Sequence, residues 1–542
     1  MGGQGQMRLW RRAEERVNRA FADSAVGRYF KVDARDTYFT RELRAGAATF
    51  LTMVYIVSVN AAILTASGGP CTVRDCSPRP STNSSASVLP PGPECKFDGN
   101  PGYQGCLARI QKDLVVATAA TAVIGSFAMG TVANLPLALA PGMGSNVYFT
   151  YNMVGFHGSG RLPYETALAI IMVEGCLFLA ISLLGIRSRI ARLLPRSIRL
   201  ASAAGIGLFL AFTGLQSQVG VGLVGPSSST LVTLTACART DPATGQCLGG
   251  RLQSPTFWLG AVGFLITAMC HARNVKGAMI YGIIFVTLVS WIRGTSVSMF
   301  PDTEQGNANF DYFKKVVDFH LIDATAWRIS FAGFGRSEVW LALPTLLYVD
   351  ILETTGSMFS MAEYAGFTDG TGGFEGEYRA FAVDASSTIV GSMLGTTTVT
   401  TYIESTAGLR EGGRTGVTAI MVAVLFLASL FFAPLFTSVP AWAVGPSLVL
   451  VGALMMVVVR EVDWAEPKEA VPAFLIMLLM PLTYSIAYGI VAGIGTHIVL
   501  HLFDYITAVY RWFDNTKKNT DGKHVLATET EGNTAAIANA SV

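Results

Sequence analysis

Charge is what this sequence has least of. Of its 542 residues only 14% are Asp, Glu, Lys or Arg, against about 25% in an ordinary soluble domain. A soluble chain of this length would need more charge to cover its surface, which argues against a large soluble enzyme. Histidine is scarce too: His157, His271, His320, His497 and His501 are scattered, and His524 lies in the tail. The pair His497/His501, four apart, lacks a third ligand in the sequence, so no metal and no cofactor are expected. No nucleophile motif marks an enzyme or receptor site. A net charge of +2 gives no nucleic-acid signal.

What is present is apolar. Hydrophobic residues make up 51% of the chain, which excludes disorder for most of it. Glycine is plentiful at 56 residues, as where helices approach closely in a membrane. A spanning helix needs about 20 mostly apolar residues. Candidates lie at 46–67, 113–133, 135–155, 163–185, 201–217, 256–271, 277–294, 339–361, 380–395, 396–413, 416–438, 441–459, 470–487 and 489–508, fourteen in all. The chain is thus expected to be an all-α polytopic membrane protein. The first span follows a polar stretch of some 45 residues and is not read as a cleaved signal peptide.

Positive charge sets the orientation. Residues 1–45 hold ten Lys or Arg. Arg187, Arg189, Arg192, Arg196 and Arg199 follow the fourth span, and Arg273 and Lys276 the sixth. With fourteen spans these lie on one side, the cytoplasm, as do both termini, with Lys517, Lys518 and Lys523 near the second. Cys71, Cys76, Cys95 and Cys106 then fall in an outer loop at 68–110, and Cys237 and Cys247 in a second, which suggests disulfides of undetermined pairing. Cys176 and Cys270 lie within spans and are read as core residues. Asn83 heads a glycosylation sequon. Residues 1–45 are expected to be a cytoplasmic region, 295–338 an outer connection, and 509–542 a disordered cytoplasmic tail.

Ionisable groups inside a span are costly, so they are functional candidates. Asp350 and Glu353 lie three apart on one helical face of the eighth span, followed by the small and polar Thr354, Thr355 and Gly356. The tenth span is strand-like from Thr396 to Ile403, then carries Glu404 and a short helix. The third span breaks at Pro141-Gly142, with Gly144 and Asn146 just beyond. Divided near residue 330, the chain has seven spans on each side, 46–294 and 339–508. The broken segments are then the third of each half. Interrupted segments at corresponding places in two halves are the best sequence pointer to a transporter site. An odd number makes the halves inverted repeats, with short extended stretches in spans three and ten. A neutral, flat, hydrogen-bonding solute suits such a site.

At these residues the sequence resembles the AzgA-like adenine–guanine–hypoxanthine permeases, plant branch, of the nucleobase–ascorbate transporter superfold. The resemblance covers roughly 35–510 and is carried by Phe39–Met53, Ala140–Asn146, Asp350–Gly356 and Ile403–Thr415. It implies a homodimer, with a core domain from spans 1–4 and 8–11 and a gate domain from 5–7 and 12–14. It also implies purine substrates carried with protons. Plant relatives extend this to adenine-type cytokinins and, for one, auxin. The family's Gly-x-Asn falls on Gly144 and Asn146, and its eighth-span acid on Glu353, where many relatives have Asp. Its tenth-span acid falls on Glu404, preceded by Thr401 and Tyr402. Asp384 matches a supporting acid.

The expected function is proton-coupled purine transport by an elevator-type movement, in the plasma membrane or the endoplasmic reticulum. Substrate contacts are assigned to Gly144, Asn146, Asp350, Glu353, Thr354, Thr401, Tyr402 and Glu404, and the coupling proton to Glu353, Asp350 or Glu404. The expected partners are a purine or purine-type cytokinin, protons, membrane lipid and a second copy of the chain. The alternatives are an anion transporter of the same superfold, which would favour a neutral or basic residue at Glu404, and a uniporter.

Overall fold

The computed structural model describes residues 2–80, 88–89, 92–185, 195–216, 220–225, 232–237, 239–240, 247–248, 250–275, 278–367, 373–502 and 507. Asn83, Arg187, Arg189, Arg192, Lys276 and the tail lysines lie outside these residues. Among the described residues six helices are long and apolar enough to cross a membrane: Phe39–Thr65, Pro101–Ala133, Tyr164–Leu183, Arg196–Leu215, Pro255–Ala272 and Ala441–Glu461. Shorter apolar helices run over Ala278–Ser290, Gly416–Ser429 and Ile486–Leu502. Further helices run over Ser337–Ala365, Glu377–Leu394 and Pro467–Thr483. The result is a mostly helical fold with the long apolar helices of a membrane protein.

Local chemistry starts and stops these helices. Asn100 caps Pro101–Ala128 by accepting from Gly102 N at 3.0 Å, with Pro101 in the first helical position, where the missing N–H costs nothing. Pro255 and Pro467 begin their helices in the same way. Glu377–Leu394 ends on Gly395 at φ 94°, a left-handed conformation that a side chain would strain.

Glu42, the acid of the motif Phe39–Met53, is buried for a structural reason. Glu42 is fully buried and accepts from Thr37 Oγ1 at 2.8 Å, Arg414 N at 2.8 Å and Thr418 Oγ1 at 2.6 Å. It therefore ties the first apolar helix to the start of Gly416–Ser429, 372 residues away in sequence for the Arg414 bond. Asn134 completes the clamp, accepting from Gly416 N at 2.8 Å and donating to Phe30 O at 3.0 Å.

The cysteines form three disulfides, Cys71–Cys106, Cys76–Cys95 and Cys237–Cys247. The first staples a loop to the start of Pro101–Ala128, and the second closes that loop on itself. Asn100 adds to that join, with Ser77 N donating to its side chain at 2.8 Å. Cys270 is half-buried, but Cys176 is exposed and is not the core residue expected. An apolar span presents one side to lipid, and a small apolar thiol is as suitable there as inside.

Candidate functional site

The two interrupted segments meet. Residues Leu139–Pro141 and Val399–Thr401 form a two-stranded antiparallel sheet, pairing Leu139 with Thr401, Ala140 with Thr400 and Pro141 with Val399. Extended backbone inside a membrane must find its partners within the protein, and here the strands pair with each other while the hydroxyls of Ser126 and Thr388 bond the backbone of Leu139 and Val399. The pairing continues past the strands: Gly142 N donates to Thr398 O at 2.8 Å, and Tyr402 N to Ala138 O at 3.0 Å. A short helix leaves each strand, Met143–Val147 from the first and Ser405–Arg410 from the second.

Side chains lock the crossing. Asn146, fully buried, donates from Nδ2 to Asn60 Oδ1 and accepts at Oδ1 from Thr397 Oγ1. Asn60 Nδ2 donates in turn to Thr118 Oγ1 at 2.6 Å, and Thr398 Oγ1 donates to Ser145 Oγ at 2.7 Å. Asn146 therefore joins three elements and turns no polar atom to a cavity.

Glu353 is half-buried and overlies the start of the first short helix. A Cβ on Gly144 would stand 2.3 Å from Glu353 Oε1, and one on Gly142 would stand 3.2 Å from Oε2. The glycines let the carboxylate approach the first-turn backbone, whose N–H groups have no partner within their helix. Glu404 is also half-buried. It stands at the N-cap of Ser405–Arg410 but makes no side-chain cap bond; its Oε1 accepts from Tyr55 Oη at 2.8 Å. Tyr402 lies close enough to both carboxylates to feel their charge, and its hydroxyl donates to Pro141 O at 2.5 Å. An apolar cavity of about 460 Å³ reaches Tyr55 from the side of Phe50, Ile283 and Phe436.

A second polar group lies behind. Thr354 Oγ1 is 3.0 Å from Asp384 Oδ2, 3.3 Å from Asp350 Oδ1 and 3.2 Å from Thr400 Oγ1. Asp350 is 1% exposed and Asp384 0%. Glu174, on Tyr164–Leu183, is equally buried and faces both.

The structure thus brings Gly144, Glu353, Tyr402 and Glu404 to the crossing, with Asn146 holding it. Asp350, Thr354 and Asp384 belong to the buried group. Strand side chains alternate, so Thr400 shares a face with Thr354, whereas Thr401 turns to the other face with its hydroxyl buried and unpartnered. Sequence reasoning missed Tyr55, Asn60 and Glu174. The first two are neutral polar residues and give no distinctive signal, but Glu174 is an acid within an apolar span, the criterion that selected Asp350. The expectation that His497/His501 lacks a third ligand is also overturned, since folding brings Glu469 beside them.

An efflux pump of Aspergillus versicolor is 44% identical over 90% of this chain and 84% of its own length. A guanine/hypoxanthine permease of Bacillus subtilis is 33% identical over 86% of this chain and 92% of its own. Among solved structures, the transmembrane domain of a cyanobacterium bicarbonate transporter, BicA, matches with a TM-score of 0.53 at 14% identity, covering 84% of this chain and 97% of that one. At that identity the likeness is one of fold. The model of the xanthine/uracil permeases, described as a permease family, matches residues 102–492, and the chain belongs to that family.

Proposed function

We propose that this chain is a proton-coupled secondary transporter of purine nucleobases, taking adenine, guanine or hypoxanthine at the strand crossing. The observation that carries the reading is the pair of half-buried carboxylates, Glu353 and Glu404, set beside one aromatic ring, Tyr402. A purine offers ring N–H donors to carboxylates and a flat face to an aromatic ring. An anion would be repelled by both acids, which argues against the anion-transporter alternative. Adenine-type cytokinins present the same ring system to the site; auxin, itself an anion, fits less well.

In this reading Glu353 binds the base and carries the coupling proton, with Glu404 as the second contact. Asp350, Thr354 and Asp384 hold the carboxylate-bearing helix in place. The chain has fourteen spans in two inverted sets of seven, with both termini cytoplasmic. Spans 1–4 and 8–11 carry the site as a rigid core past a gate of spans 5–7 and 12–14, which also holds a homodimer in the plasma membrane. The clamp of Glu42 on Arg414 and Thr418 supports such a unit, because it joins the first span to the eleventh.

The test is uptake of labelled purine by proteoliposomes with and without an imposed proton gradient. Wild type is expected to concentrate purine only with the gradient. Glu353→Gln keeps the shape of the side chain but cannot carry a proton, so it should bind purine yet fail to concentrate it. Concentrative uptake by Glu353→Gln equal to wild type would reject the assignment. Gradient-independent equilibration by wild type would favour a uniporter. Loading purine inside the vesicles and reversing the gradient tests export.

A further inference from the structure

Far along the chain from the crossing, His497 and His501 stand one turn apart on Ile486–Leu502 and face Glu469 in the first turn of Pro467–Thr483. One ring nitrogen from each histidine and a carboxylate oxygen all lie within 4.8 Å of one another. The two rings have centroids 4.1 Å apart. His501 Nδ1 is 2.9 Å from the carbonyl oxygen of His497, so with the proton on Nδ1 it donates there and Nε2 is the basic nitrogen of the ring. A backbone carbonyl holding one imidazole nitrogen while the other binds is the usual support of a metal-ligating histidine. His497 is 8% exposed, and its Nδ1 is buried with no hydrogen-bond partner. A buried polar atom left without a partner is costly, and a metal ion would satisfy it.

The surroundings suit a cation. The three residues line a cavity of about 460 Å³ whose wall also includes Arg196, Glu461 and Asp463. Arg196 is neutralised by Glu461, with Nη2 2.8 Å from Oε2. Asp463 and Glu469 remain as acids on the wall. Two imidazoles and one carboxylate form the donor set of zinc-type ions, whereas calcium and magnesium prefer oxygen alone.

We propose that Glu469, His497 and His501 bind one divalent transition-metal ion of the zinc class, with the remaining coordination position open to water in the cavity. The ion would join the beginning of Pro467–Thr483 to the end of Ile486–Leu502 and fix that helical hairpin. The proposal is independent of the purine reading, because none of its residues lies at the crossing.

The test uses the purified full chain in detergent, stripped with a chelator and titrated with ZnCl₂ by calorimetry. The expected result is one ion per chain, with a rise in the thermal unfolding midpoint that EDTA reverses and that MgCl₂ does not reproduce. His501→Ala and Glu469→Gln, both at half-buried positions, should each weaken binding by about tenfold or more. His271→Ala, at an exposed histidine outside the cluster, should leave it unchanged. CoCl₂ should produce visible absorption bands in wild type that His501→Ala lacks. Absence of binding at millimolar ZnCl₂ would overturn the proposal. So would binding by His501→Ala and Glu469→Gln as tight as that of wild type, since the ion would then sit elsewhere.

Discussion

The two strands that cross at the centre of this protein are alike in backbone and unlike in chemistry. Each is three residues long, each pairs with the other and with one helix hydroxyl, Ser126 for the first and Thr388 for the second, and each leads into a short helix. The first segment presents glycine and a fully buried asparagine whose polar atoms are engaged by Asn60 and Thr397. The second presents Tyr402 and a half-buried Glu404 that does not cap its own helix. One segment is a frame that leaves room; the other supplies side chains. The first segment's acid comes from outside it: Glu353, on a third helix, fills the space that Gly142 and Gly144 leave open. A repeated backbone can thus hold two different functional halves, because the strand pairing fixes position and leaves the side chains free to differ.

The largest effect is expected from closing the space in the first segment. In Gly144→Ala the new Cβ would meet Glu353 Oε1 at 2.3 Å and Ile206 Cγ2 at 2.8 Å. Both are ends of side chains that can move, so the fold should survive while the carboxylate is displaced. Purine transport should fall by about a hundredfold, the order expected when a reacting or binding group shifts by an ångström. The checks are uptake rate and thermal midpoint on the same preparation. Transport near wild type would show that Glu353 does not need its place over Gly144.

Asn146→Ala ranks next and acts through the frame. It leaves Asn60 Oδ1 and Thr397 Oγ1 without their buried partner, at about 1–3 kcal/mol for each unsatisfied group. Both stability and transport should drop, with the thermal midpoint falling visibly. A variant with normal stability and lost transport would mean that Asn146 contacts the substrate, and the contrast between frame and side-chain-bearing segment would fail.

Part of this contrast is legible in the sequence. Pro141-Gly142 and the β-branched run Thr396–Ile403 mark both interruptions, because helix-breaking and strand-forming residues act locally. The pairing between them joins residues some 260 apart, which no local pattern encodes. The same limit applies to Asp350 and Glu353. Their spacing of three puts them on one face, yet Asp350 is 1% exposed beside Thr354 while Glu353 is half-buried over Gly144. Which edge of a face points inward depends on neighbouring helices, not on spacing. Glu174 was legible by the rule for acids in apolar spans. Glu469 beside His497 and His501 was not, since the two helices meet only after the chain reverses near Tyr484, which adopts φ 51°.

A middle-sized effect is expected at the second segment. Tyr55→Phe removes the 2.8 Å hydrogen bond to Glu404 and keeps the ring that lines the apolar cavity. A hydrogen bond to a charged group contributes about 1.5–3 kcal/mol, so KM for purine should rise roughly tenfold with stability nearly unchanged. The rise should disappear when Glu404 is already Gln, a non-additivity that a double-mutant cycle reads directly. Additive losses would mean that Tyr55 acts through the cavity and not through the carboxylate.

The smallest effect separates the two faces of the second strand. Thr400 Oγ1 lies 3.2 Å from Thr354 Oγ1, in the group behind Glu353, whereas Thr401 Oγ1 is buried on the opposite face without a partner. Valine has nearly the same shape as threonine and keeps the β-branch that the strand favours. Thr400→Val should therefore cost about 0.5–1.5 kcal/mol, read as a several-fold rise in KM. Thr401→Val removes a hydroxyl that bonds nothing, so transport should be unchanged and the thermal midpoint equal to wild type or slightly higher. The reverse order, with Thr401→Val the more damaging, would place the substrate on the other side of the strand and move the site away from Glu353.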